Sequence, residues 1–353
     1  MARRRMTARQ RRKRKVRMFL IEMVILAVVL VVLYLFVQFG KISRNGITTD
    51  NDNLDPATLE TLDGYTDIAV FGLDNRTSGE YENGRADVLM IFSINNDTNE
   101  VKMVSVYRDT YLNMTDDDED FNKANAAYSL GGAQQAVEML NENLDLNIQN
   151  YVSVDFEAVI DVIDQLGGVE EVEVTKNEAK LMKKPIKEVC KLKDVDPDTE
   201  YVSAGTQTLD GIQALAYMRI RKDNGGDFKR TKRQREIISK VIKQAKSSNI
   251  FTLNSMMNDL LPEISTSLTN SDMVTLLLQL FSYEVADSSG FPFEKTTMDL
   301  SVGNSVIAAD LESNVIELHE FLYGTEDYTP SEDVQNFSDT IIYRTGIHEG
   351  DGY

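Results

Sequence analysis

The sequence predicts a layered α/β fold around a mixed sheet, set behind one N-terminal transmembrane helix. Three observations carry this. Strand-like apolar runs alternate with helical patterns from Tyr65 to about residue 250, the arrangement that builds α/β layers. Residues 88–94 and 101–106 are apolar runs joined by the polar stretch 95–100, a loop of hairpin length that makes these two antiparallel and the sheet mixed. Residues 18–37, MFLIEMVILAVVLVVLYLFV, hold one charge, Glu22; at about 1.5 Å per residue they span the roughly 30 Å of a bilayer's hydrocarbon core.

In chain order, residues 1–17 carry eight Arg, two Lys and no acid, whereas the whole chain has a formal charge of −20. The remainder therefore holds 27 basic against 57 acidic residues, or −30. A basic run directly before an apolar span keeps the N-terminus in the cytoplasm and sends the chain beyond the span outside; it also suits anionic lipid better than nucleic acid. No small-residue cleavage site comes after the span, so a signal peptide is not expected. The expected organisation is a basic cytoplasmic segment at 1–17, the span at 18–39, an extracellular tether at 40–64, a catalytic domain at 65–250, a C-terminal helical part at 251–330 and a mobile acidic tail at 331–353.

Within the main domain, residues 69–73, 88–94, 101–106, 151–154 and 169–174 read as strands by their short apolar runs. Residues 133–146, 156–166, 209–218 and 228–246 read as helices, the second ended by Gly167-Gly168. The polar, Lys-rich residues 177–203 read as an inserted loop, and DNGGD at 223–227 as a turn. Further helices are expected at 272–283 and 314–322. A lone cysteine, Cys190, excludes an internal disulfide, and two histidines, His319 and His348, disfavour a His-rich metal site or a Ser-His-Asp triad.

Charged residues gather at the ends of the apolar runs. Asp74 and Arg76 follow the first run, Arg85 and Asp87 open the second, and Arg108 and Asp109 close the third. Residues two apart on an extended chain face the same way, so each of the first two pairs points an acid and a base into one space. Arg219 and Arg221 are also two apart, Arg230 and Gln234 share a helix face, and Arg233 lies about one turn from Arg230. With Lys123 these make a cluster of cations in an acidic ectodomain, which calls for an anionic ligand; guanidinium forks suit phosphate oxygens. Asp74 and Asp87 are hard oxygen donors of the kind Mg²⁺ takes alongside substrate phosphates. The plain alternative is a set of surface ion pairs at strand ends.

FGLDNR, GRADVLMIFSIN, VSVYRDTY, KANAAYSLGG, YVSVDFEAVIDVIDQLGGVE, LDGIQALAYMRIR and GDFKRTKRQREII occur in that order over residues 65–245 or so. In these pieces the chain resembles the LytR-CpsA-Psr family of bacterial cell-wall ligases. The resemblance implies an α/β/α sandwich with a deep apolar channel for a polyprenyl chain. It implies transfer of a glycopolymer from undecaprenyl diphosphate to peptidoglycan or another cell-envelope acceptor. By position it implies that Asp74 and Asp87 hold Mg²⁺ (or Mn²⁺), and that Arg85, Arg108, Lys123, Arg219, Arg221, Arg230 and Gln234 hold the diphosphate. Arg108 is the implied catalytic cation, with Asp87 or Asp109 accepting the acceptor's proton. Two departures touch pocket shape: Tyr107 stands where the family commonly has Pro, and Ala86 where it often has Ser or Thr. A diphosphate hydrolase would use the same residues. A membrane-linked transcriptional regulator would need more than seventeen cytoplasmic residues to read nucleic acid.

Overall fold

The computed structural model describes residues 43–49, 53–74, 81, 84–115, 120–223, 225–249, 252–253, 255–256 and 260–353. The basic segment, the expected span and Arg76 lie outside the described residues, and among the described residues no helix is long and apolar enough to cross a membrane. The chain runs β1 (Ser43–Arg44), α1 (Pro56–Asp63), β2 (Tyr65–Leu73), β3 (Ala86–Asn95), β4 (Glu100–Val106), β5 (Tyr111–Asn113), β6 (Phe121–Lys123) and α2 (Ala124–Leu144). It continues through β7 (Asn150–Asp155), α3 (Phe156–Gln165), β8 (Val169–Val174), α4 (Lys176–Lys193), β9 (Gly205–Leu209), α5 (Gly211–Met218) and α6 (Gly226–Ser247). It closes with β10 (Ile264–Thr266), α7 (Asn270–Gln279), β11 (Glu284–Phe291), β12 (Lys295–Leu300), β13 (Gly303–Ala308), α8 (Leu311–Tyr323) and α9 (Glu332–Thr345).

Seven strands form a mixed sheet in the order β1-β10-β7-β2-β3-β4-β11. The β2–β3 and β3–β4 pairs are antiparallel, while β2–β7 and β4–β11 are parallel. Alternation along the strands divides the apolar residues between two faces. Ala69, Phe71, Leu73, Leu89, Ile91, Val104 and Val106 face a core shared with α2, α8 and α9. Ile68, Met90, Ile94, Val101 and Met103 face the other way, against Ile238 and Ile242 of α6. A third cluster joins α3, α4, α5 and the β8–β9 ladder. The sheet thus carries helices on both faces.

Four expectations are corrected. The stretch 40–64 is more than a tether: β1 pairs with β10, and α1 starts at Pro56 with the Asp55 carboxylate accepting from Ala57 and Thr58 N–H. Residues 177–203 are not a loop, because α4 occupies most of them; Thr175 and Glu178 form a reciprocal cap, and Met182, Ile186, Val189 and Cys190 bury one face beneath the lysines that hid the period. β8 is a strand as expected, and it pairs with β9 in a two-stranded ladder of its own. The C-terminal part is not purely helical, since β11 forms a sheet edge and β12–β13 a hairpin. Finally, 331–353 is no mobile tail: α9 buries Val334, Phe337 and Ile341, and Ser331 donates from its N–H and hydroxyl to the buried Asp145 carboxylate. The helix expected from residue 133 begins at Ala124 and kinks where Gly132 adopts φ +67°, a conformation that favours glycine.

Candidate functional site

The C-terminal ends of the parallel strands β2 and β7 meet the start of β3 at one end of the sheet, and Leu73 pairs with both Ala86 and Asp155. Crevices at the carboxyl ends of such strands are the usual ligand sites of α/β sheets. Here α3, α5 and α6 enclose a cavity of about 240 Å³ over the sheet face. Its walls are apolar: Val70, Val88 and Val154 from the strands, Val162 from α3, Leu215 from α5 and Ile238 from α6. Gly72 also lines it, and a Cβ there would meet Val88 at 2.9 Å. The polar side chains of the lining are Asp87, Asp155, Arg219, Arg221, Arg230 and Gln234, and Arg221 and Arg230 both turn to Asp87.

Asp87 is the hub. Its Oδ1 accepts from Arg108 Nη1 at 2.5 Å and its Oδ2 from Arg221 Nη2 at 2.6 Å, with Arg230 Nη2 3.9 Å away. Burial alone would raise the Asp87 pKa, but Arg230, Arg108 and Arg221 outweigh it, so the carboxyl titrates below its ordinary range. Arg230 is 1% exposed; it donates to the Asp87 carbonyl and lies 3.0 Å from Asp227 Oδ1. Arg108 also approaches Asp109 at 3.4 Å and Asp227 at 3.7 Å. The Arg108 carbonyl accepts from Asn125 N–H at 2.9 Å, which ties the arginine's loop to the start of α2. Lys123 reaches Asp109 at 3.2 Å. Arg230 Nη1, Gln234 Oε1 and Arg108 Nε are buried and make no hydrogen bond among the described residues. Two of the three still face carboxylates at ion-pair distance, Arg230 Nη1 on Asp227 and Arg108 Nε on Asp109, which leaves Gln234 Oε1 as the buried acceptor that a polar ligand would satisfy.

The structure therefore brings Asp87, Arg108, Arg219, Arg221, Arg230 and Gln234 together, with Lys123 and Asp109 beside them. Asp74 sits at the margin, 41% exposed in its side chain and 3.9 Å from Arg219. Arg85 is exposed and pairs with no described carboxylate. Arg219 does not lie on an extended run as its spacing with Arg221 suggests; it caps α5 at φ −96°, ψ 1°, and stacks 4.9 Å over Phe156. Arg233 is not on the rim: its guanidinium pairs with Asp223 and Glu178 on the far side of α6. Tyr107 turns away from the cavity, its ring edge-on to Phe228 at 4.7 Å and close over Gly290. Ala86 is fully buried.

Asp227 and Glu188 were missed in the sequence. Asp227 precedes Arg230 by three on one helix, a spacing that signals a pair. Glu188 reaches Arg219 at 3.8 Å from α4, a helix the Lys-rich composition concealed.

An α/β sheet with helices on both faces and an apolar cavity carrying guanidinium groups at its strand ends suits a ligand with an apolar body and an anionic group. The LytR_cpsA_psr family model matches residues 34–313, and the chain belongs to that family. It is 31% identical over 238 residues to the polyisoprenyl-teichoic acid–peptidoglycan teichoic acid transferase TagU of Bacillus licheniformis, covering 67% of this chain and 68% of that one. To TagV of Bacillus subtilis, a transferase of the same description, it is 31% identical, covering 73% of this chain and 63% of the relative. A solved structure of the family protein YwtF (TagT) with bound octaprenyl pyrophosphate lipid shares the fold, at a TM-score of 0.53 and 22% identity, covering 75% of this chain and 92% of that one.

Proposed function

We propose that this protein is a membrane-anchored phosphoglycosyl transferase. It moves a glycopolymer from an undecaprenyl diphosphate carrier to peptidoglycan or another cell-envelope acceptor. The observation that carries the reading is the apolar cavity with Asp87, Arg221, Arg230 and Gln234 in its lining and Arg108 on the other oxygen of Asp87. The isoprenoid tail lies along the apolar walls, and the diphosphate meets the guanidinium groups. Residues 18–39 anchor the chain, 1–17 remain in the cytoplasm, and the described part works outside the cell.

An acceptor hydroxyl attacks the phosphorus nearer the sugar. A phosphodiester forms, the bond to the bridging oxygen breaks, and polyprenyl phosphate leaves with that electron pair. Arg108, Arg221 and Arg230 stabilise the charge that develops on the phosphoryl oxygens. Asp87, held ionised by three arginines, positions them and is a poor proton acceptor. Asp109, next to Arg108 in the chain and 3.4 Å from its Nε, takes the acceptor's proton in this reading.

Asp74 directly follows β2 and Asp87 is the second residue of the neighbouring β3, and these two carboxylates would be the donors for Mg²⁺ (or Mn²⁺). Two carboxylates suit an ion that completes its shell with water and substrate phosphates. When bound, the ion neutralises phosphate charge. The relatives' names, which specify teichoic acid and peptidoglycan, support the substrate and acceptor classes.

The test uses the full-length protein with a polyprenyl-diphosphate-linked glycan and peptidoglycan fragments. An acceptor-linked phosphodiester product is expected, and Arg108→Ala should lower its rate about 10²–10³-fold. Release of free glycosyl phosphate alone would instead identify a hydrolase.

A further inference from the structure

Six lysines of α4 lie on one exposed face: Lys176, Lys180, Lys183, Lys184, Lys187 and Lys191. At 100° per residue they fall within about 100° of the helix circumference and run for roughly 22 Å. The part of the chain beyond residue 17 carries −30, yet α4 holds seven lysines against two glutamates. Both glutamates are drawn to arginines: Glu178 binds Arg233 at 2.9 Å, and Glu188 reaches Arg219 at 3.8 Å. Along the stripe, Lys184–Glu188 at 3.6 Å is the one ion pair among the described residues. So much unbalanced like charge on one helix repels itself and calls for an anionic partner.

We infer that this face of α4 is a binding track for an anionic, phosphodiester-repeating glycopolymer. The inference rests on the reading of the cavity as a polyprenyl diphosphate site and extends it to the polymer beyond the diphosphate. Glu188 borders the stripe and touches Arg219, so the track abuts the cavity lining at that arginine. A lipid-linked polymer has its tail in the apolar cavity and its repeats outside, where the lysines begin. Lysine is a flexible, hydrated point charge without the fixed fork of arginine, which suits a repeating polyanion that slides rather than locks. A membrane surface is the weaker partner. A helix that lies on lipid presents its apolar face to it, whereas Met182, Ile186, Val189 and Cys190 are buried in the protein.

The experiment uses full-length protein in detergent and fluorescently labelled poly(glycerol phosphate) of defined length. Neutral dextran, anionic vesicles and octaprenyl diphosphate are measured alongside. The variant K180Q/K184Q/K187Q/K191Q keeps helix-forming side chains and removes four charges. It should bind the polyanion at least about tenfold more weakly, with the slope of log affinity against log salt reduced by about 3, while octaprenyl diphosphate affinity is unchanged. Equal polyanion affinity in variant and parent would overturn the inference, as would equal binding of dextran by the parent, or a loss confined to vesicles. Failure of the unaltered protein to bind octaprenyl diphosphate would overturn the underlying reading instead. If the fourfold variant melts lower, K184Q/K187Q, which removes two charges, should still weaken polyanion binding and reduce the slope by about 1.5, and parental affinity there would overturn the inference.

Discussion

Arg230 and Arg221 both approach Asp87, yet removing each should do different things. The Arg230 side chain is 2% exposed and sits between Asp227 and Asp87. Replacing it by Ala leaves those carboxylates facing an empty buried space, and removing one member of a buried ion cluster costs about 3–5 kcal/mol. At about 2–4 °C per kcal/mol for a domain of this size, Arg230→Ala should melt roughly 6–20 °C below the parent. The Arg221 side chain is 48% exposed. Water replaces much of what its pair supplies, so Arg221→Ala should cost about 0–1 kcal/mol, or up to about 4 °C. In binding the two should converge. Each supplies a charge-assisted hydrogen bond to the diphosphate of about 1.5–3 kcal/mol, or roughly 10–150-fold in affinity. The chain has no tryptophan, so circular dichroism melts and calorimetric titration with octaprenyl diphosphate are the suitable assays. Equal melting of the two variants, or parental affinity in either, would refute the placement of the cavity's cations.

Other substitutions separate fold from site. Arg233→Ala should destabilise by about 3 kcal/mol or more through its buried partners Asp223 and Glu178, yet leave octaprenyl diphosphate affinity unchanged in titration. Deleting residues 331–353 removes Val334, Phe337 and Ile341, each contributing about 1.5–3 kcal/mol, and strips Ser331 from Asp145; the melt should lose its cooperative transition. Burial pushes the His319 imidazole from 6.5 down to about 4. The unfolded chain therefore takes up a proton that the folded one refuses, and stability should fall as pH drops from 6.5 towards 4, by up to about 3 kcal/mol; His319→Phe should flatten that part of a denaturant-midpoint series. Chelation should weaken octaprenyl diphosphate binding, and Asp74→Ala should be weak with or without Mg²⁺; indifference of the parent to chelator would remove the metal from the proposal.

The strands that build the site were legible because each has a short apolar run and a turn signal at its end. β2, β3 and β4 lie where periodicity puts them, and the 95–100 loop joins an antiparallel pair as expected. The cations were legible by type, since six arginines and lysines in an acidic chain stand out. What composition hid was order in polar stretches. In α4 the buried residues recur at helical spacing, but lysines on the opposite face lower the average below what a loop reading tolerates. In α9 three apolar residues suffice because Asp145, far away in sequence, anchors Ser331. The partner of β11 could not be read locally either, because β4 lies more than a hundred residues before it.

Charge balance gives the cavity's design a simple logic. Arg85, Arg108, Lys123, Arg219, Arg221 and Arg230 bring six positive charges to the site and its margin; Asp74, Asp87, Asp109, Asp155, Asp227 and Glu188 bring six negative. Without ligand the cluster is thus nearly neutral, which is how so many ionised groups share a partly buried space without a large desolvation penalty. A diphosphate linking lipid and sugar adds a negative charge on each phosphate, which no surplus cation offsets. Under the proposed reading a divalent ion held by Asp74 and Asp87 would make up the difference. Under that reading the acids would serve twice: they balance the arginines in the unliganded cavity, and two of them would hold the ion beside the diphosphate.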